Sequence, residues 1–487
     1  MINPRIARGF RGPGGGAWGV ITPPPTFRGS SKQVCGLWPY SGASSRPALG
    51  VPVGQDIMTG STVCCDPLTW FKHGLASSPS MLVLGLQGLG KSSFTVRQIL
   101  GLADQGVIPL VLGDMKPDYA DVIRALGGQI IRLGEGQCLN VLDPGAMGMA
   151  ADRIGGERGE VLHEQALQRA VMLVTTLIQI MRRARLDDWE ESLVARAVRI
   201  LRDRHRGGTP PSLPDLAAIF ASPPQELIRA ALVADAEEFV TTTRGVARSL
   251  QALMEGSLGL TFSGQTTERI RLDAPGVCID VSPIRRHSED VKAAILMSTW
   301  SEGYASIEAA NALAEAGLEP QRHFLSVMDE MWEAMRIEGA GLVDKLDGVT
   351  RLNRSDGVGN IFITHSLKDM ESMSSAADAR KARGFAERSS IIVTAGLAMD
   401  DLRALSEVKR MSENEMRTVA SWSTPAGWKQ KMIRTSTGML RPAPPPGAGK
   451  VLIKLGERAG IQTQVKLTQA EFDLHDTNAR WLQEAER

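Results

Sequence analysis

Short apolar runs bounded by glycine and polar residues punctuate this chain: Met81 to Leu84, Val107 to Leu112, Gln129 to Leu133, Gly276 to Val281, Phe324 to Met328, Gly359 to Thr364 and Ile391 to Thr394. Each has the length of a strand, and their near-continuous hydrophobicity fits strands covered on both faces. Between several of them apolar residues recur at helical spacing, as at Phe94, Val96, Ile99 and Leu100, or along Asp290 to Ala316. The alternation predicts an α/β fold, a mostly parallel sheet flanked by crossover helices.

From Val161 to Ala234 the pattern changes. Val161 to Arg183, Trp189 to His205, Leu213 to Phe220 and Pro224 to Ala234 all read as helices with Arg and Glu on their polar faces, punctuated by Gly207 to Pro211. This predicts an all-helical subdomain inserted between two halves of the sheet, its Leu, Ile, Val and Met stripes serving as core. Val51, Val53, Ile57 and Val63 lie near strand spacing and suggest edge strands. Leu342 to Asn353 reads as helical. Pro442 to Gly449 links to a hairpin (Val451 to Leu455 with Thr463 to Leu467) and a helix, Gln469 to Ala485.

The organisation expected is a basic Pro/Gly-rich arm over 1–50, the first part of a core over 51–157 and a helical insertion over 158–256. The second part of the core covers 257–441, and a C-terminal linker, hairpin and helix cover 442–487. The arm holds Arg5, Arg8 and Arg11, Gly12-Pro13-Gly14-Gly15-Gly16 and Pro23-Pro24-Pro25, the composition of a flexible, solvated segment.

Composition narrows the classes. A chain of 487 residues can bury a large core. Its net charge is +1, so no global field directs it to nucleic acid or a membrane surface. Contact with nucleic acid would need a local patch or a pore assembled from several subunits. The five cysteines are scattered without a C-x-x-C pair, which fits a reduced, cytosolic protein without a cysteine metal site. The apolar stretch Ala170 to Met181, between Arg169 and Arg182, is too short to span a bilayer and contains Thr and Gln. The basic N-terminus lacks the apolar region of a signal peptide. The expectation is a cytoplasmic protein with no transmembrane segment of its own, meeting the inner face of the cell membrane through partners.

The chemistry begins where the run Met81 to Leu84 breaks. Gly85-Leu86-Gln87-Gly88-Leu89-Gly90-Lys91-Ser92 fits G-x-x-x-x-G-K-[ST]. Glycines let backbone N–H groups approach phosphate oxygens, and the helix that follows points its amides and positive dipole end the same way. Gly85, Gln87, Gly88, Leu89, Gly90, Lys91, Ser92 and Ser93 are therefore the candidate ATP-binding residues. Lys91 would reach the β- and γ-phosphates, and Ser92 would hold Mg²⁺. A bare glycine-rich turn is the bland alternative; the strand before and the helix after argue against it.

Phe324 to Glu330 supplies the second half. An apolar strand ends in two adjacent carboxylates, Asp329 for Mg²⁺ and Glu330 as general base toward an attacking water. That pairing marks hydrolysis rather than phosphoryl transfer to another acceptor. Thr364 and His365, at the tip of a strand expected beside it, are candidates to sense the γ-phosphate. Arg351 and Arg354 stand just upstream, where an arginine would act on a neighbouring subunit's nucleotide. Asp114 and Lys116, at another strand end, either face the nucleotide or form a capping and turn pair.

These motifs occur in a telling order: the phosphate loop, Gly113-Asp114-Met115-Lys116-Pro117-Asp118-Tyr119, Asn140-Val141-Leu142-Asp143, Met328-Asp329-Glu330-Met331-Trp332 and Thr364-His365-Ser366-Leu367-Lys368-Asp369. Together they resemble the ATPase domain of type IV secretion and conjugative-transfer ATPases, the VirB fourth component or TraC/TraG type, in the FtsK–HerA class. The similarity runs from about Leu37 to the end, with Lys454-Leu455-Gly456 and Asp476-Thr477-Asn478 near the C-terminus. It implies a RecA-like P-loop NTPase core of the ASCE kind with an inserted helical domain. It also implies ATP and Mg²⁺ as cofactors and a homo-oligomeric ring, commonly hexameric. The partners implied are secretion or conjugation subunits, and the work is ATP-driven movement of protein or DNA across the envelope.

Arg354 matches the family's arginine before the sensor strand. Three positions depart from the pattern. His365 replaces the family's glutamine, Asp118 shortens the usual acidic residue before Tyr119, and the large N-terminal domain of full-length members is expected to be absent apart from the arm. Three readings follow: a secretion or conjugation motor, a DNA translocase of the FtsK/HerA or coupling-protein kind, and a nucleotide-gated scaffold without productive turnover. An ABC-type reading of Phe262-Ser263-Gly264-Gln265 fails, because that stretch lies far upstream of Asp329 with a strand and a long helix between.

Overall fold

The computed structural model describes residues 47–134, 136–331, 356–366, 383–424, 432–434, 440–442 and 445–475. In chain order its strands are β1 (Pro52–Asp56), β2 (Thr62–Cys64), β3 (Ser80–Leu84), β4 (Val107–Asp114), β5 (Gln129–Arg132), β6 (Val277–Asp280) and β7 (His323–Met328). They continue with β8 (Val358–Thr364), β9 (Ile391–Thr394), β10 (Met432–Arg434), β11 (Leu440–Pro442), β12 (Lys450–Leu455) and β13 (Ile461–Val465). Eleven form one sheet in the order β2-β1-β13-β12-β9-β3-β8-β7-β4-β6-β5, while β10 and β11 pair with each other.

All pairings from β9 across to β5 are parallel. The pairings through β12, β13, β1 and β2 are antiparallel. The sheet is thus mostly parallel with an antiparallel flank. The C-terminal hairpin, β12 with β13, is built into that flank and joins the N-terminal strands to the parallel core.

Side-chain alternation explains why the central strands are apolar throughout. On β3, Leu82 and Leu84 enter the hydrophobic core on one face, whereas Met81 and Val83 enter a second core on the other. On β8, Phe362 and the pair Ile361 and Ile363 divide in the same way. A strand covered on both faces has no solvent side, so the period-two pattern disappears from its sequence.

The helices are α1 (Pro67–Lys72), α2 (Lys91–Asp104), α3 (Ala120–Ala125), α4 (Gly145–Ile154), α5 (Gly156–Arg182), α6 (Asp188–Arg204), α7 (Leu213–Ala221) and α8 (Gln225–Ala230). After them come α9 (Ala236–Thr242), α10 (Arg244–Glu255), α11 (Gly259–Phe262), α12 (Glu289–Glu315), α13 (Met399–Val408), α14 (Glu413–Trp422) and α15 (Gln469–Leu474). Helix α2 packs Phe94, Val96 and Ile99 into the core that also holds Val83. The helices between β5 and β6, together with α12, cover the opposite face.

Helix α12 is buried on most of its sides, and its polar tips find partners in the sheet. Trp300 Nε1 donates to Leu112 O (2.6 Å) and Tyr304 OH donates to Asn360 Oδ1 (2.8 Å), tying it to β4 and β8. Buried polar groups must be matched in this way, so these two bonds fix the helix against the strands that carry the site.

The helix expected over Pro224 to Ala234 is shorter. It closes at Ala230, Leu232 takes a left-handed φ of 57°, and Asp235 caps the next helix by accepting from Glu238 N. Helical spacing alone does not register this break, because the apolar residues continue through it. Helices also begin earlier than the spacing suggests, with α4 starting at Gly145. The segment expected as helix over Leu342 to Asn353 lies outside the described residues, as does most of Gln469 to Ala485, of which α15 is the described part.

Candidate nucleotide-binding and hydrolysis site

All seven parallel strands run the same way, so their carboxyl ends share one edge of the sheet, where open α/β sheets form ligand crevices. β8 lies between β3 and β7. The sheet therefore brings the loop after β3, the carboxylates after β7 and the tip of β8 side by side, although they are remote in sequence.

The loop after β3 depends on glycine. Gly85 has φ 155°, and a Cβ there would lie 2.6 Å from Ala395 Cβ; Gly90, the N-cap of α2, has φ 102°. The loop is fastened to neighbouring strand ends, with Gly85 N donating to His365 O (3.3 Å) and Leu86 N to Gly396 O (3.0 Å). Leu86, Gln87 and Gly88 are exposed, Leu89 and Lys91 are buried, and Gly90, Ser92 and Ser93 are half-buried. From the other side, Gly449 N donates to Leu89 O (3.0 Å).

Lys91 lies inside this loop. Its Nζ donates to Gly85 O (2.5 Å) and Leu86 O (3.3 Å) and lies 3.1 Å from His365 Nδ1. Burial lowers its pKa to about 8, against the opposing pull of Asp329 and Glu330. A cation so desolvated gains from an anionic ligand. The Ser92 hydroxyl donates to Asp118 Oδ2 (3.0 Å).

After β7 the chain turns sharply. Glu330 adopts φ 51°, unusual for a side chain of its size, and its N–H donates to Asp329 Oδ1 (2.9 Å). Burial and the charge of Glu330 push the Asp329 carboxyl up to about 7. Burial also acts to raise Glu330, but hydrogen bonds from His365 and Lys116 outweigh it and bring Glu330 down to about 2. His365 Nε2 is 3.1 Å from Glu330 Oε1, and the Lys116 ammonium forms an ion pair with the same oxygen.

The contacts of His365 assign its tautomer. An ammonium donates to Nδ1, so Nδ1 is the bare acceptor and the proton sits on Nε2, donating to Glu330. A continuous path thus runs from Lys91 through His365 to Glu330. Arg354 and Arg351 lie outside the described residues.

Asp114 and Lys116 separate in role. The Asp114 carboxylate accepts from the backbone of Lys116 (3.3 Å), Asp118 (3.0 Å), Tyr119 (2.8 Å) and Ala120 (3.2 Å), so it shapes the turn. Lys116 instead projects to Glu330. Sequence reasoning placed Lys116 at the right strand end without finding its partner, and it did not connect Tyr119 to the site at all. The Tyr119 hydroxyl donates to Asp329 Oδ2 (3.1 Å) and interacts with the Ser92 hydroxyl. Only the position of the segment Gly113 to Tyr119 at a strand end was visible in the sequence; that β4 neighbours β7 is a fact of the fold.

Ser92 and Asp329 are thereby brought to one phenol from two distant parts of the chain. A serine hydroxyl and a carboxylate are hard oxygen donors of the kind Mg²⁺ takes, so these residues fit that ion.

Comparison with solved structures assigns the fold. The structure of VirB4 of Thermoanaerobacter pseudethanolicus superposes with a TM-score of 0.66 at 17% identity, covering 88% of this chain and 100% of that one. The bacterial conjugative coupling protein TrwB, in an unbound form, aligns at TM-score 0.49 and 14% identity, over 88% of this chain and 90% of that one. A TrwB complex with a non-hydrolysable ATP analogue aligns at 0.49 and 12%, over 93% and 96%. No family model and no curated protein matches the chain. The chain has the P-loop NTPase fold seen in VirB4, in line with the fold that its motifs imply.

Proposed function

We propose that this chain is an ATP-hydrolysing motor of a conjugative-transfer or type IV secretion apparatus. The observation that carries the reading is the path Lys91–His365–Glu330, which joins a phosphate-binding loop to a general-base carboxylate at one crevice. The VirB4-like fold supports the same reading.

The residues divide the work. Amides of Gln87, Gly88, Leu89, Gly90, Lys91, Ser92 and Ser93 bind the phosphates, Gly85 shapes the loop with its own N–H held by His365 O, and Lys91 leaves its loop carbonyls to neutralise the β- and γ-phosphate oxygens. Ser92 and Asp329 hold Mg²⁺, which when bound supplies charge stabilisation at the phosphate oxygens. Glu330 takes the proton of the attacking water, and His365 orients its carboxylate. Arg354 is the candidate to act on a neighbouring subunit's nucleotide in a homo-oligomeric ring.

No helix among the described residues is long and apolar enough to cross a membrane. The proposed motor acts at the cytoplasmic face of the membrane through secretion or conjugation subunits, a placement that rests on the motor reading itself.

The test is Mg²⁺-dependent ATP turnover of the purified protein, with and without single- and double-stranded DNA, beside Lys91→Ala. Turnover that Lys91→Ala abolishes and DNA leaves unchanged, in a protein that co-purifies with secretion subunits, is expected. Strong DNA stimulation without such subunits would move the reading to a DNA translocase. Binding without turnover would move it to a nucleotide-gated scaffold.

A further inference from the structure

We propose that Lys116 is the residue by which this site distinguishes a nucleoside triphosphate from a diphosphate, releasing Glu330 as it does so. The inference rests on the ATPase reading above and goes beyond it by giving Lys116 a role.

The Glu330 oxygen Oε1 receives two donors at once, the Lys116 ammonium and His365 Nε2. A carboxylate oxygen so occupied is a weak base toward water, because two donors already fill its lone pairs. Losing one of these donors makes Oε1 a stronger base toward water. The two donors differ in how firmly they are held. His365 is fixed at its other nitrogen by Lys91, and its carbonyl is fixed by Gly85 N. Lys116 ends in a side chain that is 34% exposed, on a turn whose backbone is pinned by Asp114. The base of Lys116 is fixed while its tip is free to change partner.

A γ-phosphate brought to Lys91 places a new anion beside a cluster that already holds Lys116, Asp329 and Glu330. Among these, Lys116 is the cation whose present partner is a carboxylate of lesser charge than a terminal phosphate. Its transfer to the phosphate favours the triphosphate and strips one donor from Glu330 in the same movement. A diphosphate, lacking that terminal group, leaves the ion pair in place.

The experiment measures equilibrium binding of a fluorescent non-hydrolysable ATP analogue and of fluorescent ADP, each with Mg²⁺, to wild type, Lys116→Ala and Lys91→Ala. Lys116→Ala is expected to bind ADP within about twofold of wild type and to bind the triphosphate analogue at least about tenfold more weakly. Lys116→Gln carries the same test should the alanine variant fail to fold, and equal melting temperatures separate either effect from lost stability. An unchanged triphosphate-to-diphosphate ratio, or equal weakening of both ligands, overturns the role of Lys116 and leaves the nucleotide site standing. Binding of neither nucleotide to wild type overturns the site itself.

Discussion

His365 places its Nε2 3.1 Å from Glu330 Oε1, linking the tips of two adjacent parallel strands. The other ring nitrogen meets Lys91. A side chain that both accepts from a cation and donates to a carboxylate can be replaced by an amide, which offers the same two functions. His365→Gln is expected to keep turnover within about tenfold of wild type, whereas His365→Ala loses about a hundredfold. Steady-state ATP hydrolysis by the three proteins checks this. Equal loss in both variants would mean that the imidazole itself is required.

The phosphate loop offers a second, purely steric prediction. At Gly85 a Cβ would meet Ala395 Cβ at 2.6 Å, a distance that forces a strand end to move. Gly85→Ala is expected to destabilise the protein by about 1–3 kcal/mol and to weaken nucleotide binding by shifting the loop amides. Denaturant unfolding and nucleotide titration measure the two effects. Unchanged values in both would place Gly85 away from the constraint.

Stability should also depend on pH through Glu415. Burial alone would raise this carboxyl. The Gly460 and Ser412 amides (2.6 and 2.7 Å) and Lys454 (3.3 Å) outweigh that and hold it below its ordinary value. The group ties the start of α14 to the β12–β13 hairpin. A folded-state pKa below the unfolded one gives stability that is complete above the unfolded value and is lost as pH falls through the folded value. Glu415→Gln should therefore cost about 1–3 kcal/mol at pH 7, with the difference from wild type shrinking below about pH 4. Unfolding curves at both pH values test this, and a pH-independent difference would contradict it.

The central strands were legible in the sequence because a strand buried on both faces leaves a continuous apolar run, as β3 and β8 do. The phosphate loop was legible because its glycine, lysine and serine spacing is local. Other features depend on pairing across long separations, which spacing does not encode. The hairpin around Val451 was visible, but its antiparallel pairing with β9 and β1 was not. Lys454 appeared as part of a family motif and proves to be the buried partner of Glu415. The ion pair between Lys116 and Glu330 joins residues 214 positions apart, and Tyr119 meets Asp329 across 210. The break at Leu232 escaped notice because it is a backbone event within an unbroken apolar pattern.

The most direct measurement is the structure of Glu330→Gln with Mg²⁺ and ATP, a variant expected to bind nucleotide while turning over about 10²–10⁴-fold more slowly. One nucleotide should occupy the crevice, with Lys91 on its β- and γ-phosphates and the metal between Ser92 and Asp329. A triphosphate bound away from Lys91, or a metal held by oxygens other than those of Ser92 and Asp329, would contradict the account.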